Sequence, residues 1–291
     1  MCSKSLLGFL NVNKPKGITS HDVVSKVRKA LGIRQVGHSG TLDPFATGVL
    51  PIAVGKATKL IEYLDDDKEY LATVKFGANT TTYDLEGDIT QTFDKKVLES
   101  DIIKALTAFE GEISQLPPVY SAIKVGGKKL YDYARAGENV EIKPRKVVIQ
   151  SIKLIEFDEE VQIAKILVAC SKGTYIRSIA FDLGKMLNCG AYLIGLIRTK
   201  AGRFSVEDSI NLDNLSSEEI EKKILYPTEI TDIPVRELSL PEISRVQHGM
   251  SIDNNGYKNS DIVFLVYSGR IYAVGMVSNE KILVKKLFEV L

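Results

Sequence analysis

The sequence is poor in the residues that build metal and redox centres. Its 291 residues include only three cysteines and three histidines. Cys2, Cys170 and Cys189 are odd in number and show no Cys-x-x-Cys spacing, which argues against a disulfide framework and a structural zinc site. No metal is expected. Apolar tracts long enough to cross a bilayer as a helix are missing too. The apolar start "SLLGFLNV" breaks at Asn11, too short for the core of an export signal and without a small-residue cleavage site. A cytoplasmic protein without membrane contact is therefore expected. Net charge is also small, with 38 Lys and Arg against 37 Asp and Glu.

That balance hides a segregation along the chain. Residues 11–40 hold Lys14, Lys16, Lys26, Arg28, Lys29 and Arg34 against Asp22 alone. Residues 121–148 hold Lys124, Lys128, Lys129, Arg135, Lys143, Arg145 and Lys146 against Asp132, Glu138 and Glu141. Residues 62–69 and 207–232 are acidic. A fold that gathers these blocks has one positive and one negative face, as polyanion binders do, although solvated faces explain charge alone equally well. Tyrosines tilt the balance. In "YSAIKVGGKKLYDYARAG", Tyr120, Tyr131 and Tyr133 lie among lysines, a mixture suited to phosphate contact and base stacking.

The length suggests one large domain plus a small one. "GFLNVNKP" reads as a strand, and "TSHDVVSKVRKALG" as a helix with a capping box between Thr19 and Asp22 and a stop at Gly32. "YLATVKFG" and "VQIAKILVAC" alternate as strands; "SDIIKALTAFEG" and "TYIRSIAFDLGKMLNCG" have helical apolar spacing. The mixture lacks a regular βαβ rhythm, so an α+β sheet fits better than a doubly wound one. After the acidic helix "SSEEIEKKIL" the pattern changes near Pro234 to short strands with Gly-containing turns, expected as a small β domain.

The stretch "GHSGTLDPFATG", residues 37–48, must turn sharply in several places and carries Asp43 and His38. It is one residue from a nucleophile elbow, but Thr41 stands where the final glycine belongs and the single downstream histidine is His248. "GKAT" at 55–58 misses the phosphate-binding loop pattern at Leu50 and Ala57. Asp43 followed by Pro44 is a common helix start. Capping alone does not require the glycines, His38 or Thr41.

Here the residues reach a resemblance. "GHSGTLDPFATGVLPIAVGKATK" resembles the catalytic motif of the bacterial tRNA pseudouridine(55) synthase family. The likeness continues in order through "NKPKGITSHDVV", "KEYLATVKFG", "TTTYDLEGD", "PPVYSAIKVGGKKLYDYARAG" and "CSKGTYIRSIAFDLGKMLNCGAYLIGLIRT". It implies a mixed, mainly antiparallel pseudouridine-synthase sheet flanked by helices, over residues 1–234, with an RNA-gripping insertion at about 117–147. Residues 235–291 resemble a PUA-like RNA-binding domain.

The resemblance implies isomerisation of the T-loop uridine of tRNA, with no cofactor and no obligate protein partner. Asp43 matches the nucleophile, attacking either C1′ of the sugar or C6 of the base. Arg177 matches its counter-charge, and Tyr70 the aromatic that stacks on the base and is implicated in removing the C5 proton. His38 matches the residue that meets the extruded RNA. Lys14 and Lys59 match basic positions near the site, Tyr175 a hydrogen-bonding neighbour of Arg177, and Leu196 an apolar pocket wall. Lys124, Lys128, Lys129, Tyr131 and Arg135 of the insertion match its RNA-facing block. Three positions depart from the family pattern: Ser39 for Thr, Thr81 for Asp, and Ile197 for Arg. Two rival readings remain, a catalytically silent RNA-folding module and a hydrolase built on Ser39.

Overall fold

Alternation of apolar and polar residues builds the centre of this protein. The structure, a computed structural model, describes residues 6–121, 123–138, 140–213 and 215–288. Cys2 and the outermost residues of both expected domains lie outside that range, as does the Arg135 side chain. Strand β1 (Leu7–Lys14) leads into helix α1 (Ser20–Leu31). Thr19 Oγ1 accepts from Asp22 N at 3.1 Å, and Thr19 N donates to Asp22 Oδ2 at 2.8 Å, the expected capping box. Such a cap contributes about 1 kcal/mol. Gly32, at φ +66°, closes the helix.

Strand β2 (Val36–His38) precedes the glycine-rich loop, which runs into β3 (Thr47–Gly55), a 3₁₀ segment (Lys56–Tyr63) and β4 (Lys68–Phe76). Tyr70, Ala72, Val74 and Phe76 bury one face of β4, as the alternation predicts. A small hairpin, β5 (Ala78–Thr80) and β6 (Ile89–Thr92), is followed by α2 (Glu99–Leu106) and β7 (Gly111–Gln115). The insertion contains the hairpin β8 (Lys124–Val125) and β9 (Lys128–Lys129), then α3 (Leu130–Arg135). Next come β10 (Arg145–Asp158), β11 (Ile163–Cys170), α4 (Ile176–Met186) and β12 (Ala191–Ala201). Short strands β13 (Phe204–Ser205) and β14 (Ile210–Asn211) lead to α5 (Ser217–Lys223).

Ten of these strands form one sheet ordered β14–β1–β3–β12–β4–β11–β10–β7, with β13 beside β12 and β2 beside β3. Only the β1–β14 and β3–β12 pairs are parallel; the others are antiparallel. The sheet is therefore mixed and mainly antiparallel. Val23, Val24 and Val27 of α1 pack with Leu10, Leu50 and Ile52. A second cluster joins Ala72, Val74 and Phe76 of β4 to Ile102 of α2 and Ile179 and Leu183 of α4. Burying each such large side chain contributes roughly 1.5–3 kcal/mol.

The C-terminal elements are β15 (Val235–Glu237), α6 (Leu240–Gln247), β16 (Ile252–Asp253), β17 (Ile262–Tyr267), β18 (Arg270–Ser278) and β19 (Lys281–Leu287). Their five strands make a second sheet. It shares a core with the first: Phe264, Val266, Ile271, Val274 and Phe288 pack with Phe9, Val49, Ala53 and Phe204.

No helix starts at Asp43–Pro44; the chain turns there, with Ala46 N bonded to Asp43 O at 3.1 Å. Among the described residues no helix is long and apolar enough to cross a membrane.

Candidate active site

Five features fix the loop that carries Asp43. Ser20, inside α1, donates from Oγ to Leu42 O at 3.1 Å and accepts from Leu42 N at 2.8 Å. Gly17 N donates to Pro44 O at 2.8 Å. Lys14 Nζ donates to the carbonyls of Pro15 at 3.0 Å, Ile18 at 2.7 Å and Pro44 at 3.2 Å. Arg198 of β12 donates from Nε to Val49 O at 2.6 Å and from Nη2 to Gly40 O at 3.1 Å. Gly48, at φ +100°, stands in parallel register with Arg198, and a Cβ there would lie 2.3 Å from the Arg198 carbonyl oxygen. Glycine is thus required by close approach as well as by its backbone.

The loop delivers Asp43 to a cavity of about 320 Å³ whose lining includes Thr41, Tyr70, Ser121, Lys172, Tyr175, Arg177, Leu196 and Arg198. Tyr70 comes from β4, Leu196 and Arg198 from the neighbouring β12, and Arg177 from the first turn of α4. A volume of this size suits a small planar ligand.

Arg177 holds Asp43 with two nitrogens. Its Nε lies 2.9 Å from Oδ2, and its Nη2 donates to Oδ1 at 3.3 Å. Nη1 lies 3.4 Å from Asp84 Oδ2 and donates to Thr82 O at 3.2 Å, while Nη2 also donates to Tyr120 O at 3.0 Å. The guanidinium is therefore fully engaged, which a planar donor fork permits and an ammonium does not. Asp84 is aimed by its own turn: Oδ1 accepts from Thr82 Oγ1 at 2.5 Å and from Glu86 N at 3.0 Å. Tyr83, at φ +63°, anchors that turn by stacking on Phe181, with ring centroids 4.0 Å apart.

Electrostatics follow from this packing. Asp43 keeps 35% of its side-chain surface open, yet enough protein surrounds the carboxyl that burial pushes its pKa above the usual 3.8. Arg177 opposes that rise, Asp84 adds to it and Lys14 again opposes it. Burial raises the Tyr70 hydroxyl above its usual 10, with Arg198 working against it. Among the described residues no group of three or more His, Cys, Asp or Glu is placed to hold a metal ion.

Asp43, Tyr70, Tyr175, Arg177 and Leu196 thus meet at one cavity. Two basic residues expected near the site lie outside the cavity lining. Lys14 is 0% exposed and spends its ammonium on three carbonyls under the loop; burial lowers its pKa to about 8. It is an internal brace, because a charge with no surface cannot reach a phosphate. Lys59 lies on the 3₁₀ segment, away from the cavity lining, with Nζ 3.4 Å from Leu287 O and 5.9 Å from the Phe288 ring centroid. His38, at the end of β2, is half-buried outside the lining; burial lowers its pKa, with Arg198 and His21 adding to the effect.

Among its described residues the insertion supplies no lining residue apart from Ser121. Lys128 pairs with Glu138 at 2.9 Å and stands 4.5 Å from the Tyr133 ring centroid; Lys129 Nζ donates to Tyr131 Oη at 3.1 Å. Lys124 is exposed. Of the departures, Thr81 is exposed, and Ile197 is 39% exposed between the pocket residues Leu196 and Arg198.

Sequence reasoning missed Asp84 and Arg198. Asp84 lies inside the "TTTYDLEGD" block, but nothing in that acidic run distinguishes the one carboxylate that is buried. Arg198 sits in an apolar strand, where a 1% exposed arginine must have internal acceptors. That anomaly is the signal that was available.

Comparison places this architecture among known folds. A solved structure described as a Cbf5–Nop10–Gar1 complex superposes with a TM-score of 0.72 at 27% identity, covering 97% of this chain and 85% of that one. A structure of an H/ACA RNP bound to a substrate RNA containing 2′-deoxyuridine gives 0.70 at 26% identity, covering 97% and 85%. The fold is that of pseudouridine synthases, with a curled, PUA-like C-terminal sheet. More narrowly, the chain belongs to the TruB family of pseudouridylate synthases: residues 28–176 match the N-terminal domain of that family. It is 46% identical over 290 residues to tRNA pseudouridine synthase B of Carboxydothermus hydrogenoformans, covering 97% of this chain and 98% of the relative. It is 43% identical to the protein of the same name from Clostridium kluyveri, covering 92% of each.

Proposed function

We propose that this protein isomerises the T-loop uridine of tRNA, position 55, to pseudouridine, with Asp43 as nucleophile. The observation that carries the reading is the Asp43–Arg177 pair, at 2.9 Å, on the wall of a cavity that also holds Tyr70 and Leu196. The names of its relatives, tRNA pseudouridine synthase B, support the substrate.

The chemistry needs few groups. The N1–C1′ bond breaks, the uracil turns within the pocket, C5 joins C1′, the C5 proton leaves, and N1 takes up a proton. No electron is gained or lost. Asp43 attacks the nucleotide covalently and is later released, and two routes give this outcome, through C1′ or through C6. Arg177 favours the carboxylate form that such an attack requires. Tyr70 stacks on the base and receives the C5 proton, directly or through a relay. The uridine is flipped out of the T-loop to reach Asp43, and a nearby His38 meets the RNA it leaves behind. Residues 1–234 form the catalytic domain in this reading, the 117–147 insertion grips the T-arm, and 235–291 hold more of the tRNA. No other protein is needed, and the reaction takes place in the cytoplasm.

Release of tritium from tRNA transcribed with 5-tritiated uridine tests the proposal. Wild-type protein should release tritium only when the T-loop uridine is present, and Asp43→Asn should release none while binding tRNA within a few-fold. Equal turnover by Asp43→Asn would overturn the assignment. Binding without release by wild type would favour the RNA-folding reading.

A further inference from the structure

We propose that Lys68 and Lys172 form a phosphate-binding rim that holds the phosphodiester of the nucleotide whose base enters the pocket. The inference rests on the nucleotide reading of the cavity given above.

Lys68 opens β4, two residues before Tyr70, so both side chains point to the same face of the sheet, and both line the cavity. Its Nζ makes one weak contact, 3.4 Å to Asp65 O, and among the described residues no carboxylate lies within ion-pair distance of it. Arg198, the register partner of Tyr70, donates to two carbonyls and bonds the Tyr70 hydroxyl, with no carboxylate partner among the described residues. Among the described residues Asp43 is the single carboxylate in the lining, and Arg177 already holds it. This wall therefore carries cations that no carboxylate of the described residues pairs directly, although Asp66 and Asp67 lie near enough to Lys68 to favour its charged form. Partly buried charge of that kind is costly until an anion arrives.

Two further observations place the anion at the mouth. Lys172, in the turn after β11, lines the same cavity and is paired with Asp66, from the acidic loop that leads into β4. Asp66 occupies the position of a phosphate oxygen on an otherwise solvent-facing lysine. The eleven-residue helix α4 starts at the same turn, with no side-chain cap on its first amides. An uncapped N-terminus attracts anions. A nucleotide whose C1′ reaches Asp43 extends its phosphodiester outward, toward these groups. Burial lowers the pKa of Lys68, with Arg198 adding to the effect and Asp66 and Asp67 opposing it, and a bound phosphate would raise it again.

The test is the dissociation constant of a T-arm stem-loop across a salt series, with single-turnover rates at saturating RNA. Lys68→Gln and Lys172→Gln should each weaken binding about tenfold and make the slope of log affinity against log salt shallower by about one. Their saturated rates should stay within about threefold of wild type, which also shows that the variants are folded. Lys68→Arg should restore affinity, and Asp66→Asn, which frees Lys172, should tighten binding at low salt. Unchanged affinity and slope in Lys68→Gln would overturn the rim, as would a loss confined to the saturated rate. A wild-type protein that isomerises no T-loop uridine would instead overturn the underlying reading, and the rim with it.

Discussion

Arg177 stands between two carboxylates, with Nε 2.9 Å from Asp43 Oδ2 and Nη1 3.4 Å from Asp84 Oδ2. In the proposed reaction Asp43 loses its charge each time it forms a covalent bond. Asp84, 3% exposed, then remains as the partner that keeps Arg177 charged, buried and in place.

Asp84 should therefore matter for rate without touching the substrate. Asp84→Asn is expected to slow tritium release at saturating tRNA by about 10- to 100-fold, while the dissociation constant changes little. It should also cost roughly 1–3 kcal/mol in denaturant unfolding, the penalty for disturbing a buried charged hydrogen bond. A variant with wild-type turnover would remove Asp84 from the argument.

The raised pKa of Asp43 has a consequence for stability. The folded state binds the proton more tightly than the unfolded chain, so ionised Asp43 weakens the fold above its folded pKa, and this cost vanishes below the unfolded value near 3.8. Asp43→Asn, which leaves Arg177 paired with Asp84, should therefore melt at or above the wild-type temperature at neutral pH. The difference should shrink as pH falls toward 3.8. Thermal melts at several pH values test this; a clear fall in melting temperature at neutral pH contradicts it.

The same shift sets the acid limb of the reaction. The proposed attack by Asp43 requires its carboxylate, so log kcat/KM should fall as Asp43 takes up its proton, with a midpoint above 3.8. A midpoint at or below that value would mean that the pocket does not penalise the charge as its burial implies.

Gly48 tests the loop scaffold. Gly48→Ala drives a methyl group to 2.3 Å from the Arg198 carbonyl oxygen at a backbone angle of +100°. We expect a loss of about 2 kcal/mol or more in unfolding free energy and a large fall in turnover, since the loop it ends carries Asp43. Stability within about 0.5 kcal/mol of wild type would show that β3 and β12 can part at little cost.

Local order was legible where local physics decides it. The Thr19–Asp22 capping box, the Gly32 stop and the buried face of β4 all follow from interactions a few residues apart. The two longest strands were not picked out. β12 reads "AYLIGLIRTKA", an apolar run broken by glycine and arginine with no clean period, because register shifts at Leu193/Gly195 and Arg198/Lys200 interrupt its alternation and Arg198 lies inside. β10 buries its residues unevenly along 14 positions, so its alternation fades.

By itself the sequence determined the chemistry on offer: one aspartate in a loop that only glycine can trace, an arginine at the head of a helix, a tyrosine on a strand. It did not determine which charges are paired. Lys14 and Lys68 look alike in a string of letters, yet one lies beneath the loop bound to three carbonyls and the other faces the cavity, with no carboxylate among the described residues at ion-pair distance. Asp84 meets Arg177 from 93 positions away, across the sheet. Only the tertiary structure made those choices, because desolvation and ion pairing depend on distances that the chain sets when its strands take their order.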